Sequence, residues 1–329
     1  MLDRLLPIVY SYWTVRASHD PRPTVGLIGL GNMGTAVAER LLDAGYPLVV
    51  HNRTREKAEA LGMLGAAVAT TPTELVERVD VILTSLADDE AFESVAAAVI
   101  DAARPGTVLI DMSTVSPDAS ARVASLAEMA SVRYLRAPVS GNPSVVRAGN
   151  LSFIVSGARE TFDEVEAVIR AIGPTIHHVG EGEQARIVKL AVNLMIAVLA
   201  QVMSEALVLA ETSGVSRAAL LDVMANSAAG APFVKYKTDA LLRDDFSATF
   251  TTALMEKDID LVLDAAADAG VELPLAREMK THLRAATDAG YGDDDFMALF
   301  LHLRSAPGLA ATATPPSRAN ELPQQEVVQ

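Results

Sequence analysis

The chain of 329 residues is long enough for two domains with a sizeable hydrophobic core. Half of its residues are hydrophobic and 21% are charged, a balance typical of a globular protein. The formal net charge of -15 argues against nucleic acid or an anionic membrane surface as the main partner, so an anionic ligand must be held by local donors. The sequence contains no cysteine, which excludes disulfides, thiolate metal sites and a cysteine nucleophile and fits a cytoplasmic location.

Neither end of the chain has the pattern of a folded domain. The segment LLPIVYSYW is short, follows little positive charge and lacks a small-residue cleavage site, so residues 1–22 are interpreted as a loose extension and not as a signal peptide. Residues 306–329 are rich in Pro, Ala and polar residues, which predicts a disordered tail. The most apolar stretch, residues 187–203, carries Lys189, Asn193 and Gln201 and is therefore a poor candidate for a membrane span.

Between residues 23 and 182, short apolar runs alternate with helix-length segments. The predicted strands are TVGLIGL, PLVVHN, VDVILTS, GTVLIDMS, VRYLRAPVS, LSFIVSG and TIHHVG, and the predicted helices include NMGTAVAERLLDAG and residues 159–171. Strands that alternate with helices indicate βαβ units around a parallel sheet. We therefore expect residues 23–182 to form an α/β domain.

After residue 182 the strand pattern ends. A long helix is predicted over residues 183–212, and further helices are predicted at 216–227, 232–242, 250–269, 274–289 and 294–304. The sequence thus predicts an all-α region over residues 183–305, joined to the α/β domain by one long helix. That helix is apolar nearly all round, which predicts burial on several sides, most simply by a second subunit.

Three glycines in GLIGLGNMG have the G-x-G-x-x-G spacing of a dinucleotide-binding loop. The motif follows a predicted strand and opens a helix, the context that gives it meaning. Gly29 permits the tight turn, Gly31 lets a pyrophosphate approach the backbone, and Gly34 lets helix and strand pack closely. The helix N-terminus attracts the anion. The alternative interpretation is a purely structural glycine turn.

The end of the second predicted strand, HNRT, bears on the choice of cofactor. An acidic residue there would bind the ribose 2′-hydroxyl and repel a 2′-phosphate. The chain has Asn52, Arg53 and Thr54 instead, and neutral, cationic and hydroxyl donors suit a phosphate. This favours NADP over NAD. If Arg53 only stacks on adenine, the choice stays open.

Two later loops follow the carboxyl ends of strands, where ligands bind in such sheets. DMSTVSP places Ser113 and Thr114 there, and APVSGNPS places Ser140, Gly141 and Asn142 there. Hydroxyls and free backbone N–H groups at helix starts are suited to a substrate carboxylate. Each loop is equally consistent with an ordinary helix cap.

Two pairs of polar residues lie on predicted helices. Lys189 and Asn193 are one turn apart, so an ammonium and an amide share one face of an apolar helix. Buried lysine is costly unless it is paired or used, so this pair is either a snorkelling surface feature or part of an active site. Lys257 and Asp258 taken alone read as a solvated charge pair.

Other catalytic and metal-binding patterns are missing from the sequence. His177 and His178 are adjacent on a predicted strand, so they face opposite ways and cannot jointly bind a metal. No other spacing suggests a metal site. No G-x-S-x-G motif or His-Asp partner set supports a serine hydrolase.

Taken together, the motifs resemble those of the β-hydroxyacid dehydrogenase family, the relatives of 3-hydroxyisobutyrate dehydrogenase and of the glyoxylate/succinic semialdehyde reductases. The resemblance spans residues 23–305 and follows the family's order of motifs: GLIGLGNMG, DMSTVSP, APVSGNPSVVRAGNL, GEGEQARIVKLAVN, KDIDLVLDAA and GYGDDDF. It implies an N-terminal Rossmann domain that binds NADP, a long interdomain helix, an all-α C-terminal domain and a homodimer or homotetramer.

The resemblance also implies roles for individual residues. Lys189 matches the family's catalytic general acid/base and Asn193 its supporting asparagine. The substrate-binding set, for a small anionic substrate, is Ser113, Ser140, Gly141, Asn142 and Lys257. The cofactor-binding set is Gly29, Gly31, Asn32, Met33, Gly34, Asn52, Arg53, Thr54, Leu86, Thr114 and Lys257.

The chain departs from the family pattern around the carboxylate-binding loop. Asn142 replaces a second glycine, Val145–Val146 replaces a Gly-Ala pair, Asn150 replaces a threonine, and Arg136 replaces an aspartate. These changes bear on the substrate more than on the reaction, because Lys189 is retained.

The function that the resemblance implies is an NAD(P)-dependent oxidoreductase that prefers NADPH. It would interconvert a small carboxylated aldehyde or 2-oxo acid and its hydroxy acid by hydride transfer. One alternative is an imine reductase of the same fold, although those enzymes generally carry Asp or Tyr at the position of Lys189. The other is a cofactor-binding scaffold without turnover.

Overall fold

The computed structural model describes residues 22–305. The predicted disordered tail and, apart from Arg22, the predicted N-terminal extension lie outside the described residues. The part described divides into a sheet-containing half and a helical half, connected by one long helix.

The first half is built on one mixed sheet. Its strands are β1 (Val25–Ile28), β2 (Leu48–His51), β3 (Ala67–Val68), β4 (Val81–Thr84), β5 (Val108–Asp111), β6 (Arg133–Arg136), β7 (Val139–Ser140), β8 (Ser152–Ser156) and β9 (Thr175–Gly180). The spatial order is β3-β2-β1-β4-β5-β6-β8-β7, and β9 pairs with β8. The first six strands are parallel in the order 3-2-1-4-5-6, which confirms the predicted Rossmann arrangement.

The sheet departs from the predicted parallel arrangement at one edge. Strand β8 runs antiparallel to β6 and β7 and parallel to β9. The single strand predicted for VRYLRAPVS is divided into β6 and β7, because Pro138 has no N–H to donate to a sheet ladder. The break turns the chain toward the loop that carries Gly141 and Asn142.

Helices cover both faces of this sheet. They are α1 (Asn32–Asp43), α2 (Arg55–Gly62), α3 (Pro72–Val76), α4 (Asp89–Ala102), α5 (Pro117–Met129), α6 (Pro143–Arg147) and α7 (Arg159–Ile172). One hydrophobic core packs α1 and α7 on the sheet through residues such as Leu41 and Phe162. A second core packs α4 and α5 on the opposite face through residues such as Phe92 and Val123.

The second half is helical. Its helices are α8 (Gln184–Thr212), α9 (Arg217–Asn226), α10 (Pro232–Leu242), α11 (Thr252–Asp268), α12 (Pro274–Ala286) and α13 (Leu299–Arg304). They enclose a third core, which includes Met203, Ile259 and Phe300. The helix predicted at 274–289 ends at Ala286, and Gly290 (φ 97°) lies in the irregular turn that follows. The helix predicted from 294 starts later, because residues 296–298 form a short 3₁₀ turn capped by Asp295.

Helix α8 is only partly covered by the described chain. Val188, Met195, Val202 and Leu209 recur every seven residues, and Met195 is 72% exposed and Leu209 68% exposed. Residues 22–305 therefore do not supply the expected burial on several sides. Helix α8 is long enough and apolar enough (mean hydropathy 1.9) to cross a membrane, but a packed core helix can have the same length and hydropathy. In its most apolar stretch of 18 residues, 39% is buried.

Candidate functional site

The glycine loop joins β1 to α1 and leaves room for an anion. Gly29 has φ +95°, and a Cβ at Gly34 would lie 2.0 Å from the Gly29 carbonyl oxygen. By contrast, a Cβ at Gly31 would meet no atom within 4 Å, so the space beside the helix N-terminus is open. No acidic residue occupies the first turn of α1. These features fit a dinucleotide pyrophosphate, because the backbone is accessible and the helix end is unopposed by negative charge.

The end of β2 faces this loop. The Asn52 side chain accepts a hydrogen bond from the Leu30 N–H at 2.9 Å and donates to the Thr54 carbonyl oxygen at 2.9 Å. Asn52 therefore braces the glycine loop. Arg53 and Thr54 are exposed next to it, and Asn32 and Met33 lie in the first turn of α1. The predicted cofactor-binding residues at the carboxyl ends of β1 and β2 are thus close together.

A second group of polar residues lies between the two halves of the molecule. Asn193 on α8 is 4% exposed and donates from Nδ2 to Oδ2 of Asp258 on α11. The other carboxylate oxygen, Oδ1, lies 2.9 Å from Lys257 Nζ. Lys257 in turn donates to the Thr114 carbonyl oxygen at 2.6 Å, across the domain boundary.

Asp258 overturns the interpretation of Lys257–Asp258 as a solvated charge pair. Its side chain is fully buried, and it serves both Asn193 and Lys257. Sequence reasoning missed Asp258 as a site residue. The available signal was its position next to Lys257 within the motif KDIDLVLDAA.

Lys189 lies one turn before Asn193 on the same face of α8. It is half-buried, and within residues 22–305 it makes no ion pair or hydrogen bond. Burial lowers the pKa of Lys189 because the ammonium loses hydration; Asp258 opposes this change and Lys257 adds to it. The result is an available amine whose charged form is disfavoured. An acid–base catalyst has these properties.

Ser113 is placed differently from the expectation that its hydroxyl faces the substrate. Ser113 is 3% exposed; its hydroxyl donates to Asp111 Oδ1 at 2.7 Å and accepts from the Leu86 N–H at 2.8 Å. Its single proton is therefore used inside the protein. The bond does connect the loops after β4 and β5, which carry Leu86 and Thr114.

The loop after β7 forms a separate part of the site. Gly141 has φ +142°, and a Cβ there would lie 3.0 Å from Leu151 and 3.1 Å from Val145. Asn142 caps α6, because its Oδ1 accepts from the Val145 N–H at 3.0 Å. Val146 is fully buried and Asn150 is exposed. For Asn142 the helix-cap alternative therefore holds.

A cavity of about 200 Å³ separates this loop from the helical half. Asn142 and Ser144 line one side of it, and Tyr236 and Lys237 of α10 line the other. Phe233, one turn earlier, is 7% exposed and packs against Phe296 in the core. No hydrogen bond within the described range joins this loop to Lys189 or Asn193.

Arg136, the departure that stands before APVSG, has a structural role in the described fold. Its guanidinium pairs with Glu183, the residue that precedes α8, and lies 4.6 Å from the centre of the Tyr134 ring. Arg136 therefore holds the start of α8 against β6. Its charge is neutralised there and is not directed at the carboxylate loop.

Comparison with known proteins assigns the family. Residues 24–180 match the family of the NAD-binding domain of 6-phosphogluconate dehydrogenase. Residues 183–303 match the family described as NAD-binding of NADP-dependent 3-hydroxyisobutyrate dehydrogenase. A probable 3-hydroxyisobutyrate dehydrogenase of Mycobacterium tuberculosis is 32% identical over 289 residues, covering 86% of this chain and 98% of that protein. The chain belongs to the β-hydroxyacid dehydrogenase family.

Solved structures agree with this assignment. The M. tuberculosis 3-hydroxyisobutyrate dehydrogenase crystallised with L-serine superposes with a TM-score of 0.78 at 32% identity, covering 86% of this chain and all of that one. The structure of Psf3 in complex with NADP+ and 2-OPP has a TM-score of 0.79 at 25% identity over 85% of this chain and 99% of that one. An imine reductase from Pseudomonas sp. has a TM-score of 0.58 at 25% identity over 86% of this chain and 99% of that one.

This member of the family also resembles a protein with a different name. The human cytokine-like nuclear factor N-PAC is 28% identical over 279 residues, covering 84% of this chain. The chain spans about half the length of N-PAC, since only 50% of that protein is matched.

Proposed function

We propose that this oxidoreductase is an NADPH-preferring reductase of a small carboxylated aldehyde or 2-oxo acid, reversible as a hydroxyacid dehydrogenase. The observation that carries the proposal is the placement of Lys189. Its ammonium is half-buried between the domains, makes no ion pair or hydrogen bond within the described residues, and has a lowered pKa because of burial. A structural lysine in this position would be expected to have a partner.

Lys189 is assigned the proton transfer. When bound, NADPH would supply the chemistry of hydride transfer to the carbonyl carbon. As negative charge develops on the carbonyl oxygen, Lys189 Nζ donates a proton to it, and in the oxidative direction the neutral amine takes the proton back. Such general acid–base help is worth on the order of 10²–10⁴-fold in rate.

Asn193 and Lys257 organise the space around Lys189. The Asn193 amide is oriented by its Nδ2 bond to Asp258, so its Oδ1 is free to accept from Lys189 or from the substrate hydroxyl. Lys257 is 26% exposed beside the Thr114 carbonyl, with its charge balanced by Asp258. Both residues hold the reacting groups without adding net charge next to Lys189.

The substrate carboxylate is assigned to the loop that carries Ser140 and Gly141. Positive φ at Gly141 turns this backbone, and the Ser140 side chain is half-buried there. Ser113 supports the site through Asp111 and Leu86 instead of donating its own hydroxyl proton to the substrate. Fixing the carboxylate fixes the carbonyl carbon, which contributes through proximity and orientation.

The preference for NADPH rests on the end of β2. Asn52, which braces the glycine loop, stands where an acidic residue would bind the ribose 2′-hydroxyl, and the exposed Arg53 and Thr54 offer donors to a 2′-phosphate. The similar structure of Psf3 in complex with NADP+ supports this assignment.

Assembly and location complete the proposal. Helix α8 exposes Val188, Met195, Val202 and Leu209 along one face, and the seven-residue spacing suits packing against a second α8. A homodimer or homotetramer in the cytoplasm, acting on a small anionic substrate, fits this surface and the absence of cysteine.

The test follows NADPH or NADH oxidation at 340 nm (the reduced nicotinamide band) with glyoxylate, succinic semialdehyde, methylmalonate semialdehyde and a cyclic imine. The native enzyme and Lys189→Ala are run in parallel. Turnover of a carboxylated aldehyde that prefers NADPH and collapses in Lys189→Ala is the expected result. Imine turnover that is insensitive to Lys189 would replace the proposal with imine reduction. NADPH binding without any turnover would favour a cofactor-binding scaffold.

A further inference from the structure

A circuit of hydrogen bonds and one ion pair attaches to α8 at two residues, Arg186 and Asn193, which lie on either side of Lys189 in the sequence. From α8, Arg186 Nη1 donates to the Ser113 carbonyl oxygen at 2.7 Å, and the carbonyl of the next residue, Thr114, accepts from Lys257. Lys257 contacts Asp258, which accepts from Asn193 and so returns the circuit to α8. The segment of α8 between the two points of attachment contains Lys189.

Arg186 is the member of this circuit that the proposed mechanism does not use. It is 1% exposed, and each of its three guanidinium nitrogens donates at least one hydrogen bond. Besides the Ser113 carbonyl, it donates to Ser120 Oγ at 3.2 Å, to Asp111 Oδ2 at 2.6 Å and to Tyr134 Oη at 2.8 Å. Burial acts against its charge, but Tyr134 and Asp111 more than compensate and raise the pKa of Arg186. It is therefore a permanent cation inside the domain boundary.

Asp111 connects this cation to the cofactor side of the cleft. While Oδ2 accepts from Arg186, Oδ1 accepts from Thr84 and from Ser113. The Ser113 hydroxyl then accepts from the Leu86 N–H. One ion pair thus fixes the first turn of α8 relative to the loops after β4 and β5.

Stability alone is a poor explanation for this arrangement. A buried ion pair is often replaceable by apolar residues at no net cost in free energy, because desolvation offsets the attraction. What the ion pair fixes is the orientation of the first turn of α8. Arg186, Lys189 and Asn193 stand at i, i+3 and i+7, so they share one face of α8, and Arg186 anchors the N-terminal end of that face.

Resting on the proposed function, we infer that Arg186 is a positioning residue for Lys189, acting through Asp111 and the Ser113 carbonyl. It sets where Lys189 Nζ stands relative to the loops after β4 and β5. A displacement of about 1 Å from the reacting geometry can cost on the order of 10²-fold in rate. Loss of Arg186 therefore lowers the rate of the chemical step more than it lowers the affinity for the cofactor.

The test compares Arg186→Lys with Arg217→Lys. Arg217 is also mostly buried (13% exposed side chain), and it pairs with Glu211 and Asp244 at the far end of α8. Glu211 lies roughly 33 Å beyond Lys189 along the helix, at about 1.5 Å per residue. Lysine keeps the charge at both positions but cannot reproduce the guanidinium fork.

The expected result is a separation of rate from stability. Arg186→Lys should lower kcat about 10- to 100-fold with the NADPH Kd within about twofold of native. Arg217→Lys should lower Tm by about as much as Arg186→Lys does, but its kcat should stay within about twofold of native. The double variant Asp111→Asn with Arg186→Met removes both buried charges, and its Tm should recover toward native while kcat stays low. Recovery of kcat together with Tm would show a merely structural role and overturn the inference.

A second measurement does not depend on turnover. Backbone hydrogen exchange of the NADPH-bound protein should rise in residues 187–193 of Arg186→Lys and stay native in residues 204–212, with the reverse in Arg217→Lys. Unchanged exchange in 187–193 would contradict the inference. Lys189→Ala separates the two levels of the account: if it is inactive while Arg186→Lys is native-like, only the positioning role fails. If Lys189→Ala is fully active, the assignment of Lys189 as the proton donor is itself refuted.

Discussion

Substitution by alanine should lower the stability of the protein at Gly34 and its affinity for NADPH at Gly31. A Cβ at Gly34 would lie 2.0 Å from the Gly29 carbonyl oxygen, a backbone atom that cannot move aside cheaply. Overpacking of this kind costs about 1–3 kcal/mol, and a backbone clash belongs at the upper end. At about 2–4 °C per kcal/mol for a chain of this size class, Gly34→Ala should lower Tm by roughly 6–12 °C.

Gly31→Ala makes the matched control for stability. Its Cβ would meet no atom within 4 Å, and Gly31 has a φ of −69°, which any residue adopts. The folded protein should therefore lose only a small amount of stability. The added methyl group does occupy the open space beside the helix N-terminus, so NADPH affinity should fall at least about tenfold, equivalent to about 1.4 kcal/mol.

The assay pairs thermal unfolding without cofactor with a fluorescence titration of NADPH. The account expects a stable Gly31→Ala protein that binds NADPH poorly and a destabilised Gly34→Ala protein. Native NADPH affinity in Gly31→Ala would refute the placement of the pyrophosphate at this loop. Equal loss of Tm in both variants would refute the steric argument.

Four further outcomes are expected. Arg53→Ala should raise the Kd for NADPH about tenfold and leave that for NADH nearly unchanged, measured by titration, and equal losses would contradict phosphate recognition. Lys189→Met should raise Tm at pH 7, because burial disfavours the lysine charge in the folded state; the gain should shrink as pH rises from the lowered folded pKa toward 10.5 and vanish above that value. Asp258→Asn should move the alkaline fall in reductive kcat to lower pH, since Asp258 raises the pKa of Lys189; a move to higher pH would refute that coupling. Met195→Lys should yield a folded protein of lower mass in sedimentation, and an unchanged assembly would exclude α8 as the interface.

Features that depend on local pattern could be predicted from the sequence. The alternation of apolar strands and amphipathic helices predicts the Rossmann half, because the spacing of apolar residues distinguishes a strand from a helix within a short segment. The three glycines could be assigned because each has a distinct steric role within one turn. Lys189 and Asn193 could be paired because helical spacing places i and i+4 on one face.

Features that depend on contacts between distant residues could not be predicted. Arg186 and Asp111 are 75 positions apart, and Asn193 and Asp258 are 65 positions apart, so no local pattern brings them together. The same holds for Ser113, whose hydroxyl is taken by Asp111 and Leu86 only once β4 and β5 are paired. The antiparallel β8 was missed because an apolar run does not encode the direction of its neighbour.

The most direct test of the central claim is a single-turnover measurement of NADPH oxidation by excess enzyme with the best aldehyde substrate, comparing native protein with Lys189→Ala. The account predicts a fall of about 10²–10⁴-fold in the rate of the chemical step, with native NADPH affinity and partial recovery on addition of methylammonium. A native rate in Lys189→Ala would contradict the assignment of Lys189 as the proton donor.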